Sequence, residues 1–297
     1  MSLSAYENCM LCGRKCGVNR NETVGFCGMT SELTLARAAL HRWEEPPISG
    51  SVGSGTVFLS GCSLSCKFCQ NTDISHGRFG KEVNIDHLTD IMLSLRDQGA
   101  HNVNFVTPTH FAPSIAEAIK RARSRGFDLP IVYNTGSYDT TEALRLLDGL
   151  VDIYLPDFKY YTSKTATKFS HAADYPEAAR QAISEMYRQV GAAQFNSDGL
   201  MKKGIIARLL LLPGHTAEAM LILKYLLDTY GDSIYVSLMN QYTPMPNMQS
   251  PLNRPVTREE YRRLTDYALK LGLKHGFVQE HGTAAESFIP PFDLTGI

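Results

Sequence analysis

No cysteine follows Cys69 in this chain of 297 residues. A spread-out disulfide framework is thereby disfavoured, and the total of seven is odd in a chain with no visible export signal. Net charge is nearly absent as well, at −1 with a pI near 6.7. No basic field is available to grip nucleic acid or an anionic membrane surface, so neither is expected as a partner. Missing too is any apolar run of the roughly 20 residues needed to span a bilayer. The greasiest stretch, GIIARLLLLPG (204–214), is interrupted by Arg208 and stopped by Pro213. The opening residues, MSLSAYENCM, lack a basic region followed by an apolar one, so the chain is expected in the cytoplasm. There is no low-complexity segment and no short-period repeat.

What is there is the composition of a soluble globular protein, 43% hydrophobic and 20% charged. The length suits one barrel-sized domain with a small appendage. Residues 1–50 are irregular, rich in Cys and Gly, and lead into EEPPISGSVGSG (44–55), which has the prolines and glycines of a linker. The expected division is therefore a Cys-rich metal-binding module with its linker over 1–50, and a main domain with a C-terminal extension over 51–297. In the main domain, buried-strand patterns occur at 56–61, 102–108, 130–136, 151–158, 205–214 and 234–242, with a weaker one at 276–280. Helical patterns fall between them at 85–99, 114–126, 140–149, 176–191, 217–231 and 257–272, and glycine stands just past most last turns. This alternation predicts an α/β fold, a partial parallel (β/α)6-type TIM-like barrel, with an open doubly wound sheet as the alternative.

In such a barrel the loops after the strands converge over one mouth, where active sites form. Those loops hold TPTH (107–110), NTGSYD (134–139), PDFK (156–159), PGH (213–215), NQYTP (240–244) and the segment GCSLSCKFCQN (61–71). That segment brings three cysteines, Cys62, Cys66 and Cys69, into eight residues. A structural zinc site wants four ligands, and His76 would be the nearest candidate to complete a Cys3His set. Zinc ligands, however, usually come as knuckles a dozen or more residues apart. Three thiolates from one tight loop suit an iron–sulfur cluster whose fourth iron is left open to a non-protein ligand.

Cys62-x3-Cys66-x-Phe68-Cys69, with its aromatic before the last cysteine and its place after the first strand, resembles the signature of the radical S-adenosylmethionine (SAM) superfamily. With Gln70 and Asn71 the stretch is similar to the glycyl-radical-enzyme activating branch, the pyruvate formate-lyase activating enzyme-like proteins. The resemblance implies a [4Fe-4S] cluster, SAM chelated to its open iron, and an electron donor such as flavodoxin or ferredoxin. It implies a 5′-deoxyadenosyl radical that takes hydrogen from a substrate: a glycine of a partner protein, or else a peptide or small molecule. A third reading, an iron–sulfur electron carrier or metal-binding interaction protein, would require a fully ligated cluster and no SAM binding. The resemblance also maps SAM contacts. Thr107, Thr109 and His110 occupy the position of the branch's Gly-Gly-Glu motif and depart from it. Asn134 and Gly136 match its Asn/Gly loop, Asp157 and Lys159 its Asp-Leu-Lys motif, and Arg208 its carboxylate-binding arginine. Gln241 falls where the branch often has a histidine, which is absent here. Read from the residues alone, Asp157, Lys159 and Arg208 are equally open to internal ion pairing, Thr107–His110 to a turn and helix cap, and Asn134–Gly136 to a plain turn. His215 and His281 have no motif support and are expected at the surface or as caps.

Cys9-x2-Cys12-x3-Cys16-x10-Cys27 supplies four further thiolates, three of them followed by glycine. Four ligands make a closed site, so this set is read as zinc, iron or an auxiliary cluster that helps a segment poor in apolar residues to fold.

Overall fold

The computed structural model describes residues 3–279 and 290–297. Strands are β1 (Leu33–His41), β2 (Ser54–Leu59), β3 (Lys81–Val83), β4 (Val103–Val106), β5 (Ile131–Thr135), β6 (Ile153–Pro156), β7 (Gln194–Phe195), β8 (Met201–Leu210), β9 (Tyr235–Met239) and β10 (Gly276–Val278). Helices are α1 (Pro46–Ser49), α2 (Thr72–Ser75), α3 (Ile85–Asp97), α4 (Ala112–Ser124), α5 (Thr141–Arg145), α6 (Ser163–Ser170), α7 (Tyr175–Val190), α8 (Thr216–Tyr230) and α9 (Arg258–Lys270).

Sheet order is β10-β9-β8-β6-β5-β4-β2-β1-β3, with β7 attached to β8. From β2 to β10 the strands pair in parallel and their order never reverses. A doubly wound sheet would reverse at a switch point. The chain therefore forms the expected partial β/α barrel, and the open doubly wound alternative is set aside. β1 and β3 extend one edge in antiparallel fashion.

The six expected helices are all present, though α5 is much shorter than its sequence pattern. Asn84 accepts from the His87 N–H to cap α3, and Thr257 with Glu260 forms a capping box on α9. Six elements were not foreseen: β1, β3, β7, α1, α2 and α6. β1 lies within the stretch that the sequence presents as irregular. It forms because Leu33, Leu35 and Ala38 bury in the same core as β2 and α3. The approach to the linker is thus part of the sheet.

Side chains of in-register neighbours in a parallel sheet share a face. Register therefore places Thr56, Asn104, Val132 and Ile153 in one inward row, and Asp157, Arg208 and Ser237 in another nearer the strand ends. The outward face packs under the helices as the main core. The barrel floor is apolar, with Ile48 of α1 against Val132, Ile153, Leu155, Met201 and Ile206. Above this floor the interior turns polar. Residues 290–297 run along β1: the Leu294 N–H donates to the Ala36 carbonyl and the Ala38 N–H to the Thr295 carbonyl. Phe292 packs on Phe58 and Val106.

Candidate functional site

Gly61 opens the cysteine loop in the left-handed region, at φ 83°. A Cβ there would lie 2.9 Å from the Cys27 carbonyl oxygen, so glycine is required both by the backbone and by the neighbouring N-terminal module. Cys62, Cys66 and Cys69 follow before α2. Each sulfur has a polar neighbour: the Leu64 N–H at 3.4 Å from Cys62 Sγ, the Ser170 hydroxyl donating to Cys66 Sγ at 3.0 Å, and Ser75 Oγ at 3.2 Å from Cys69 Sγ. Burial, with repulsion from Cys66 and Cys69, pushes the Cys62 thiol up to about 12, and burial raises Cys69 in the same way. Burial thus keeps the Cys62 and Cys69 thiols protonated until cations join them, which is the chemistry of iron binding. The donor set fits a [4Fe-4S] cluster with three protein ligands. Among the described residues no group of three or more His, Cys, Asp or Glu is arranged around a single ion. A cube does not need one, since each thiolate meets its own iron, but a Cys3His zinc site does. His76 instead meets Ser75 and Ser65. Phe68 packs edge-on against Tyr160, Phe169 and Tyr242, screening the loop from behind.

The strand-end loops bring Asn134, Asp157, Lys159 and Arg208 together. Arg208 Nε donates to Asp157 Oδ1 at 2.7 Å and its Nη2 to Asn134 Oδ1 at 2.5 Å. Lys159 Nζ donates to Asp157 Oδ2 at 2.6 Å. Burial acts to raise the Asp157 carboxyl, but Arg208 and Lys159 outweigh it and hold it below its ordinary value. Gly136 is wedged beside them: a Cβ there would stand 2.7 Å from Leu64 of the cysteine loop and 3.4 Å from Lys159 Cε. Asp157, Lys159, Arg208 and Phe68 line a small open cleft. Two cations and a carboxylate at one cleft complement the carboxylate and ammonium of a zwitterionic amino acid, the methionyl end of SAM. The residues present fit that group.

The other expected contacts divide. Thr107, Ser65 and Ser137 all have φ between 55° and 60°, so the loops after β2, β4 and β5 each carry a non-glycine residue in the left-handed region. Such residues cost of order 1–3 kcal/mol each and gather where function over-determines the backbone. Thr109 turns inward, 3.2 Å from Thr135 Oγ1, and Thr135 donates to Asp139 at 2.5 Å. His110 is not brought to the cleft. Its Nε2 meets the Ser60 carbonyl at 2.7 Å and Arg20 donates to its own carbonyl. Burial, followed by Arg20, lowers its ring to about 3, so it stays neutral. Gln241 is tied to the cysteine loop instead of to Arg208: its carbonyl accepts from Gln70 Nε2 at 3.0 Å. His215 pairs with Glu218 at 3.5 Å beside the N-terminus of α8, and His281 lies outside the described residues.

Sequence reasoning passed over Glu44 and Glu45, which it placed in a linker. Both reach into the barrel. Glu44 sits 3.5 Å from Arg208 and accepts from Asn104 and Asn134, and Glu45 accepts from Ser237 at 3.0 Å. Burial, opposed by Arg208, raises the Glu45 carboxyl to about 7. Two acids ahead of two prolines gave no local signal of this.

The N-terminal cysteines converge, with Cys16 and Cys27 sulfurs both within 3.7 Å of where a Cβ on Gly25 would stand. Burial and the other sulfurs push Cys12 up to about 12. The same absence of a single-ion arrangement applies to them. Arg14, on the Cys12–Cys16 turn, donates to the carbonyls of Ser63, Leu64, Ser170 and His171. The module is thereby clasped to the cysteine loop.

Residues 56–226 match the sequence model of the Radical SAM superfamily. A protein of Methanocaldococcus jannaschii, described as uncharacterized protein MJ0674, is 29% identical over 279 residues, covering 90% of this chain and 76% of that one. Among solved structures, methylornithine synthase (PylB) aligns with a TM-score of 0.52 at 14% identity, over 90% of this chain and 68% of PylB. Streptococcus suis SuiB bound to its precursor peptide SuiA gives 0.51 at 13% identity, over 74% of this chain but only 46% of SuiB. At these identities the solved structures support the fold alone. The family match spans more than half of the chain and runs from within β2 through β8, taking in the three-cysteine loop. The chain belongs to the radical SAM superfamily.

Proposed function

We propose that this enzyme uses SAM to abstract a hydrogen atom from a substrate held in the barrel beneath the cysteine loop. One juxtaposition carries the reading: three hydrogen-bonded sulfurs, one buried and two half-buried, on the loop after β2, adjoining the Asp157–Lys159–Arg208 cleft. When bound, a [4Fe-4S] cluster with one open iron supplies the electron that divides SAM into methionine and a 5′-deoxyadenosyl radical. The chain's own part is to hold and orient. Cys62, Cys66 and Cys69 hold the cluster. Arg208 and Lys159 face the SAM carboxylate, Asp157 its ammonium, and Gly136 lets the adenosyl side approach. Thr107 and Thr109 offer further acceptors. No side chain needs to act as nucleophile or general base.

For the substrate, the resemblance of GCSLSCKFCQN to the activating branch points to a glycine of a partner protein. The Thr107–His110 loop and the missing histidine beside Tyr242 depart from that branch and favour a second reading, a peptide or small molecule. Either reading requires an electron donor, such as flavodoxin or ferredoxin. The N-terminal cysteines are read as a second metal site, one that a cluster would fill as they stand and that a single zinc or iron would have to draw closer together, in a segment whose later part, from β1 on, belongs to the barrel.

Anaerobic reconstitution with iron and sulfide, followed by SAM and dithionite, is expected to release 5′-deoxyadenosine, and Cys66→Ala to release none. Cluster-loaded wild-type protein that binds SAM yet forms no 5′-deoxyadenosine with any candidate substrate would overturn the reading. So would an active Cys66→Ala protein.

A further inference from the structure

Asn104 sits in the middle of β4 and faces the barrel interior. It is fully buried, and its Nδ2 donates to Glu44 Oε1 at 3.0 Å. Among the described residues its Oδ1 has no hydrogen-bond partner. A buried acceptor left unpaired costs about 1–3 kcal/mol, so native interiors rarely keep one that nothing is meant to fill.

The charges around it are also unbalanced. Glu44, Glu45 and Asp157 present three carboxylates to this interior, whereas Arg208 and Lys159 present two cations. His41, near Glu44, is held neutral by burial and adds none. With all three ionised, one negative charge would be left over in a low-dielectric space, and without a ligand Glu45 relieves it by keeping its proton up to about pH 7. Ser237 fixes Glu45 in place at 3.0 Å. An unpaired acceptor and an unpaired negative charge call for one ligand that is both a cation and a hydrogen-bond donor. A metal ion is not favoured, because no three donors among the described residues are arranged around one.

We propose that the barrel interior below Arg208 binds an alkylammonium group of the substrate, with Glu45 as its counter-ion and Asn104 Oδ1 accepting one of its protons. Arg208, shared between Asp157 and Glu44, joins this site to the SAM cleft. The inference rests on the hydrogen-abstraction reading above and narrows its substrate to an amine, either a free one or a lysine side chain.

Anaerobic calorimetry on the reconstituted holoprotein with SAM present tests this without turnover. The probes are pentylamine, Nα-acetyl-lysine methylamide, and pentan-1-ol as the neutral control. At least one amine should bind on the order of tenfold or more tighter than the alcohol, and which one binds better tells a free amine from a peptidyl lysine. Glu45→Gln should abolish the preference. Asn104→Leu should weaken the amine, and because it also removes the donor to Glu44, binding is compared on samples shown by their melting curves to be folded. Equal binding of alcohol and amine, no amine binding by folded holoprotein, or an amine preference that survives in Glu45→Gln would each overturn the site. SAM binding, measured by equilibrium dialysis on the same samples, separates a failure here from a failure of the radical reading.

Discussion

Arg208 was legible in the sequence because a charge inside an apolar strand must be answered from somewhere. Asp157 and Lys159 were legible for the same reason, at a strand end and two apart, hence on one face. Glu44 and Glu45 were not. Their depth depends on the route of β1 and α1 under the barrel, which no local pattern encodes. Glu45 makes a prediction that a surface acid would not. Its folded-state carboxyl titrates near 7, above its ordinary value of 4.5, because burial outweighs Arg208. Between those values the folded state holds a proton that the unfolded chain has released, so Glu45 lowers stability as pH rises through that window. Glu45→Gln should therefore raise the melting temperature of ligand-free protein relative to wild type more at pH 8 than at pH 5. A difference that is the same at both pH values would contradict the buried acid. His110 contributes in the opposite sense, since its lowered ring loses stability as pH falls from 6.5 towards 3. It is common to both proteins and cancels in the comparison.

At the scale of elements, the strand–helix alternation was readable because buried parallel strands are continuous apolar runs bounded by turns. β1 was hidden by its neighbours: the cysteines and glycines before it and the prolines after it suggest irregular chain, and only its pairing with β2 makes it a strand. α6 was hidden for lack of a clear apolar stripe, yet its last residue, Ser170, touches the Cys66 sulfur. The clasp made by Arg14 spans three such elements and was invisible for that reason. Arg14→Ala removes donors to four carbonyls at once. It should speed the loss of iron from the three-cysteine loop to a chelator several-fold while leaving the far-UV spectrum of the barrel unchanged. Iron release at the wild-type rate would show that the clasp does not support that loop.

For the whole molecule, the sequence announced a barrel but not how its edge is finished. That work falls to the C-terminal residues, where Asp293 pairs with Arg37 at 2.6 Å and Phe292 meets Phe58 with ring centroids 5.5 Å apart. The ion pair is largely exposed and worth little by itself. The aromatic contact covers inward-facing apolar surface, so Phe292→Ala should destabilise the protein by about 1–3 kcal/mol, whereas Asp293→Asn should change its stability much less. Urea melts of the two variants distinguish them, and a larger loss in Asp293→Asn would reverse this order.

The Arg14 clasp has a consequence for biosynthesis. Two of its four acceptors are contributed by residues 170 and 171. On a ribosome adding about 5–20 residues per second, Arg14 waits roughly 10–30 s for them to be made. In the later part of that interval, once Cys69 has been added, all seven cysteines have been synthesised while the fold that shelters them has not. The interval is therefore when the nascent chain is most open to oxidation, and when iron delivered too early would find its thiolates without Ser170 or the clasp around them.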